Sequence, residues 1–201
     1  MSLSKFVFAA DKEKFSEAER AAVYRAIFER RDVRHNFLPT PVPETVLSRL
    51  LVAAGSVGFM QPWDFLLIRN EATKRGVKNL FLKANADALR HYKGARAALY
   101  RRLKLEGIEE APVNLCVTCT RQRGGRFVLG RKTVRDTDVY STCCAIQNLW
   151  LAARAEGIGV GWVSILDYEA LKRVLGIPKP IKVVAYLCLG YVTAFAIRPD
   201  L

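Results

Sequence analysis

Apolar positions recur along this chain on two periods, and the switches between them lay out its elements. Ser16-Glu17-Ala18-Glu19 is a capping box, in which serine and glutamate satisfy each other's end of a helix start. Val23, Ile27 and Phe28 follow on a helical period, so a first helix is predicted to run to about Arg30. Residues 35–43 hold three prolines and must be extended. A second helix starts near Glu44, places Val46, Leu47, Leu50, Leu51 and Ala54 on one face, and stops at Gly55. The loop 55–63 then feeds an apolar strand at 65–68. Asn70 caps a long basic helical region, 71–105, with a break expected near Gly76 or Gly94. A strand at 113–120 and an Arg/Gly loop through Gly130 lead to a helix over 137–156. That helix is apolar nearly all round, as a helix buried in a core or at a subunit interface would be. Residues 158–166 read as a strand, Asp167 as the cap of a short helix over 168–175, Gly176 and Pro178 as its stop, and 182–192 as a final strand.

Helices and strands do not alternate as a doubly wound sheet requires, so the pattern predicts α+β: one sheet with helices packed over it. At 201 residues, without repeats or a linker, the chain reads as a single domain, 1–201. Composition is ordinary except in charge. A formal charge of +13 favours anionic partners. The basic residues are scattered, though, without a zinc-finger spacing or an aromatic-interleaved basic motif, so a nucleic-acid-binding module is only a runner-up. No run approaches the length of a membrane span. Five cysteines, an odd number without a secretory segment, point to free thiols and a cytoplasmic location. Cys116 and Cys119 form a C-x-x-C pattern inside a strand, which puts their side chains on opposite faces, and the two histidines lack ligand spacing; no metal site is expected. Cys143 and Cys144 read most simply as buried helix residues.

The candidate chemistry begins at Arg30-Arg31-Asp32-Val33-Arg34, three guanidinium groups and one carboxylate at a helix end. Guanidinium forks suit phosphate. The bland alternative is a solvated basic helix end with Asp32 as a charge-balancing partner. Gly55-Ser56-Val57-Gly58-Phe59-Met60-Gln61-Pro62-Trp63 is a glycine-bearing loop able to approach a flat ligand, or merely a connection. Gly157-Ile158-Gly159-Val160-Gly161 precedes a strand instead of joining a strand to a helix, which excludes a dinucleotide fingerprint and leaves close packing or approach to a planar ring.

Taken in order, the Arg30–Arg34 segment, the loop ending in Gln61-Pro62-Trp63 and the 157–166 run resemble the nitroreductase-like flavoproteins, and more narrowly their flavin-fragmenting branch. The resemblance implies a nitroreductase-like fold, a central and mostly antiparallel sheet flanked by helices, assembled as an FMN-binding homodimer with both subunits in each site. Arg30 and Arg34 match the two basic positions of the family's phosphate grip, with Arg31 and Val33 in the same segment, and Asp32 stands where the wider family has serine. Arg198 matches a carboxyl-terminal phosphate contact. Ser56, Gly58 and Gln61 fall in the loop that lies along the partner subunit's flavin, and the backbone of Ser164, Ile165 and Leu166 in the stretch beside the isoalloxazine. The branch implies that reduced FMN is consumed with molecular oxygen to give 5,6-dimethylbenzimidazole, the lower ligand of vitamin B12, with release of erythrose 4-phosphate. A separate NAD(P)H flavin reductase would supply the reduced flavin. Asp32 would then be a base near the ribityl chain and Ser164 a catalytic partner near the ring, under a helical lid-like region around 71–105. The alternative within the family is an FMN-dependent NAD(P)H nitro- or quinone reductase.

Overall fold

The computed structural model describes residues 14–56, 60–125, 127–128 and 130–198. Its elements run α1 (Glu17–Glu29), α2 (Glu44–Ala53), β1 (Trp63–Ile68), α3 (Glu71–Leu89), α4 (Gly94–Arg102), β2 (Val113–Cys119), α5 (Thr137–Ala155), β3 (Ile158–Trp162), α6 (Tyr168–Leu175) and β4 (Lys182–Tyr191). The four strands form one antiparallel sheet in the order β1-β2-β4-β3. β2 and β4 are central and buried on both faces, which is why both read as continuous apolar runs.

Each face of the sheet carries its own core. On one, α2 and α5 bring Leu47, Leu50, Ile146, Leu149 and Trp150 onto Leu115, Val117, Leu187 and Leu189. On the other, Val77, Phe81 and Leu171 from α3 and α6 meet Cys116, Val183 and Tyr186. Cys119 belongs to the first core and Cys116 to the second, as the C-x-x-C spacing requires of a strand. Removing any one of these leucines from water contributes roughly 1.5–3 kcal/mol.

Local signals explain the boundaries. Ser16 and Glu19 close the capping box of α1, the Asp167 carboxylate accepts from the Glu169 and Ala170 amides at the start of α6, and Gly176 ends α6 at φ 65. Gly76 does not break α3. It lies within the helix where α3 faces Val174 of α6, which a Cβ would meet in ordinary contact at 3.4 Å, and the break falls instead at 90–93, with Gly94 at φ 54. The strand expected over 158–166 stops at Trp162.

Two expectations need correction or completion. Cys143 and Cys144 are exposed, because α5 turns Ala145, Ile146 and Leu149 to the sheet and leaves Tyr140 and both thiols outward. α1 buries none of its residues: Val23, Tyr24, Ile27 and Phe28 are all exposed, the last at 69%. No helix among the described residues is long and apolar enough to cross a membrane.

Candidate active site

The segment following α1 runs along the outer edge of β3. Asp32 pairs in parallel with Val160, and the Val33 amide donates to the Val160 carbonyl at 2.9 Å. Glycine makes this approach possible. A Cβ on Gly161 would lie 1.9 Å from the Val33 carbonyl oxygen, and one on Gly159 would meet Val192 at 2.6 Å and Val33 at 3.0 Å. Of the two uses open to the 157–161 glycines, the structure shows close packing.

That packing fixes the Asp32 carboxylate. Its Oδ1 accepts from the Trp162 amide at 2.8 Å, and its Oδ2 accepts from Nε and one terminal nitrogen of Arg34 at 3.1 and 2.7 Å. The side chains of Arg34 and Asp32 are 22% and 30% exposed, so the pair faces a cleft and is not sealed in the core. Arg30 lies with its guanidinium 4.7 Å from the centroid of the Trp150 ring, and the Trp150 indole donates to the Arg31 carbonyl at 3.3 Å. A cation over an aromatic face contributes about 0.5–1 kcal/mol where exposed. It also orients the guanidinium without spending its hydrogen-bond donors.

Arg31 has a different use. Its terminal nitrogens donate to the carbonyls of Phe28 and Arg30, at 2.7 and 2.8 Å, and to that of Ile197 at 2.8 Å. This closes the end of α1 and fastens the segment carrying Arg198 beside the cluster. Arg31 Nε is buried without a partner among the described residues. Arg31, Asp32, Arg34, His35 and Lys104 line one cleft with Ala194 and Ala196. The Lys104 ammonium in it is matched by Glu106, at 3.1 Å, and by Glu110. In the cleft the Arg34 guanidinium is paired with Asp32, Arg30 stands over Trp150, and Arg31 fastens the Arg198 segment alongside, a grouping of forked cations that fits a phosphate group.

Ser164 is exposed two residues beyond the Trp162 amide that holds Asp32. Its carbonyl accepts from the Leu166 amide at 2.9 Å, while Val163 donates to Tyr186. Among the described residues the amides of Ser164 and Ile165 make no hydrogen bond, which leaves two donors next to the exposed hydroxyl. A tight turn takes the Leu166 amide, so within 164–166 the amides left open are those of Ser164 and Ile165.

Ser56 and Gln61 form a second cluster. The Gln61 carboxamide accepts from the Ser56 amide at 3.2 Å and donates to the Ser56 carbonyl at 3.0 Å, so it acts as a substitute peptide closing the loop between them. Ser56 Oγ lies 2.7 Å from Ser141 Oγ of α5 and accepts from the Trp63 indole at 3.0 Å. Gly58 lies outside the described residues. Sequence reasoning did not find Trp150, Ser141 or the guanidinium of Arg123, which holds Asp64 at 2.7 and 2.6 Å. One signal was present: Asp64 is an acid inside an apolar strand and needs a cation.

The sheet register separates the two clusters. Trp63 opposes Cys119, which opposes Lys182, whereas Asp32 and Leu189 both oppose Val160. Seven residues along β4 and four strand spacings across put Trp63 and Asp32 at opposite corners of the sheet, and the nine-residue step along α5 from Ser141 to Trp150 keeps the two clusters roughly 15–25 Å apart in one chain. The structure therefore brings Arg30, Arg31, Asp32, Val33, Arg34 and Ser164 together, with the Arg198 segment fastened beside them, and does not bring Ser56 or Gln61 to them.

Comparison with known proteins places the chain in a family. The Nitroreductase family profile matches residues 27–191. A 5,6-dimethylbenzimidazole synthase of Rhodospirillum rubrum is 43% identical over 170 residues, 83% of this chain and 80% of that protein. Among solved structures, oxidized iodotyrosine deiodinase bound to FMN and 3-iodo-L-tyrosine superposes with a TM-score of 0.71 at 20% identity, covering 89% of this chain and 96% of that one. A BluB-like flavoprotein from Clostridium difficile 630 superposes with a TM-score of 0.66, also at 20% identity, covering 89% and 94%. The chain belongs to the nitroreductase family, on the branch that holds the 5,6-dimethylbenzimidazole synthases.

Proposed function

We propose that this chain, as a homodimer, fragments reduced FMN with molecular oxygen to 5,6-dimethylbenzimidazole and releases erythrose 4-phosphate. One observation carries the reading beyond the family as a whole. A carboxylate, Asp32, stands in the cationic cleft, braced by Arg34 and by the Trp162 amide two residues before the exposed Ser164. A flavin reductase drawing on a nicotinamide has no need of a carboxylate at the ribityl chain.

When bound, reduced FMN supplies the reaction with dioxygen, so the protein's task is to hold, enclose and move protons. Arg30, Arg34 and Arg198 grip the phosphate. Arg31 fastens the chain segments that carry them, and Val33 fixes the cluster to β3. Three hydrogen bonds occupy three of the roughly four acceptor directions of the Asp32 carboxylate, leaving one for a ribityl hydroxyl whose proton it accepts. Ser164, with its own amide and that of Ile165, donates toward the ring. The helical region around 71–105 would act as the lid, and Lys104 at its end lines the cleft. Cleavage of the flavin leaves no cofactor to recycle, and a separate NAD(P)H flavin reductase delivers each reduced flavin.

The separation of the clusters at opposite corners of the sheet supports the homodimer: in this reading the loop around Ser56 and Gln61 reaches a flavin in a second copy, and the exposed face of α1 offers a surface for that copy. The test is to incubate the protein with reduced FMN and air and to look for 5,6-dimethylbenzimidazole by chromatography. Reoxidation to intact FMN would overturn the reading.

A further inference from the structure

We propose that Arg123 is a positioning residue that holds the 61–64 segment in the shape it presents to a second subunit, and so acts on the partner's flavin site and not on the one built around Asp32 of its own chain. The proposal rests on the dimeric flavin reading above. One terminal nitrogen of Arg123 donates to the Gln61 and Trp63 carbonyls at 2.8 and 3.0 Å. The other donates to both oxygens of Asp64, at 2.7 and 2.6 Å. All four bonds therefore fall on one short stretch, two on its backbone and two on its only acid.

This stretch has to be held. Gln61 sits at φ 43, in the left-handed region, which costs a residue with a Cβ about 1 kcal/mol or more. Hairpin-like support comes from Thr120, whose amide donates to the Pro62 carbonyl at 2.7 Å and whose Oγ1 donates to Asp64 at 3.2 Å. Arg123 adds its four bonds from a tight turn, its own amide donating to the Thr120 carbonyl at 3.0 Å. A planar five-donor fork can bracket two carbonyls and a carboxylate together; a lysine ammonium can reach some of them but imposes no plane. The clamp also carries the Gln61 carboxamide that closes the loop onto Ser56. Because this cluster lies at the opposite corner of the sheet from Asp32 of the same chain, a ligand at Asp32 feels the clamp across a subunit boundary.

Arg123→Ala and Arg123→Lys in the whole protein test this. Both variants are expected to stay dimeric. Reduced FMN, titrated anaerobically and followed by flavin fluorescence, should bind roughly tenfold or more weakly to Arg123→Ala and show an intermediate loss with Arg123→Lys. Amide exchange over 61–64 should quicken in the same order. The decisive arm mixes Arg123→Ala with Asp32→Asn subunits. A mixed dimer would hold one intact site and one carrying both lesions, so random reassortment should restore about a quarter of the wild-type rate of benzimidazole formation. If Arg123→Ala yields no folded dimer, Arg123→Lys takes its place in the mixture. Wild-type flavin binding by the variant, or no recovery from subunits shown to exchange, would overturn the proposal. Wild-type protein that binds no reduced FMN would instead remove the flavin reading beneath it.

Discussion

The Asp32 carboxylate reaches across from the segment after α1 to take the Trp162 backbone amide at 2.8 Å, as the next strand of a sheet would do with a carbonyl. This contact decides where the acid stands, because Trp162 belongs to β3 and is paired with Leu187 of the buried β4. Arg34 then adds a charge-assisted fork on the other oxygen.

Asp32→Asn separates bracing from proton transfer. The amide oxygen of asparagine can still accept from Trp162, so the backbone arrangement should hold, but its nitrogen repels Arg34 and its oxygen accepts no proton at working pH. Reduced FMN should bind within a few-fold of wild type, while benzimidazole formation falls by about 10²–10⁴. Chromatography of the product and a flavin titration measure the two separately. A wild-type yield would reduce Asp32 to a brace for Arg34.

Gly161→Ala attacks the same contact from the other side. The Val33 carbonyl would stand 1.9 Å from the new Cβ, backbone against carbon, with no flexible side chain to give way. Segment 32–33 must move off β3, at a cost of about 1–3 kcal/mol of stability, and with it the phosphate grip. Gly55→Ala meets nothing within 4 Å and carries no positive φ, so it should stay within about 0.5 kcal/mol of wild type. Urea unfolding of the two variants gives the comparison.

Most of the fold was legible because its signals are local. The Ser16 capping box, the Asn70 and Asp167 caps, the stop at Gly176 and the apolar runs of β2 and β4 all depend on neighbours a few residues away. What was not legible depends on distant packing. Gly76 looks like a helix breaker until Val174 is seen beside it, and Cys143 and Cys144 look buried until α5 chooses which face to turn to the sheet. The site divides in the same way. Arg30, Asp32 and Arg34 are neighbours in sequence, whereas Trp150, Ser141 and the Arg123–Asp64 pair are joined to it only by the folded chain.

Alkaline pH should unfold this protein through its second core. Burial pushes the Cys116 thiol from an ordinary 9.0 up to about 12, and it raises Tyr186 and Cys188 beside it as well. A group whose folded value is raised keeps its full stabilising effect below its unfolded value and loses it as pH climbs through the folded one. Stability should thus be level to about pH 9 and then fall toward pH 12, by about 1.4 kcal/mol per pH unit for each such group. Cys116→Ala should be less stable at neutral pH but show a shallower alkaline slope in denaturant titrations. An identical slope would place the titrating groups elsewhere.

The uncovered face of α1 yields the sharpest test of assembly. Tyr24 and Phe28 stack there with ring centroids 5.9 Å apart, beside Val23 and Ile27, and the whole helix leaves its apolar stripe to solvent in one chain. A contiguous exposed stripe of this kind marks an interaction surface. It is also continuous with the site, since the Phe28 carbonyl is one of those held by Arg31. In a two-fold dimer the stripe is used twice, so a single substitution places two charges in one interface. Ile27→Glu should therefore shift the protein to monomer in light scattering while leaving its circular dichroism unchanged, because Ile27 packs into neither core of its own chain. Benzimidazole formation should fall in step with the dimer fraction as protein is diluted. A fully active monomer would show that one chain completes the site, although its two halves lie at opposite corners of the sheet.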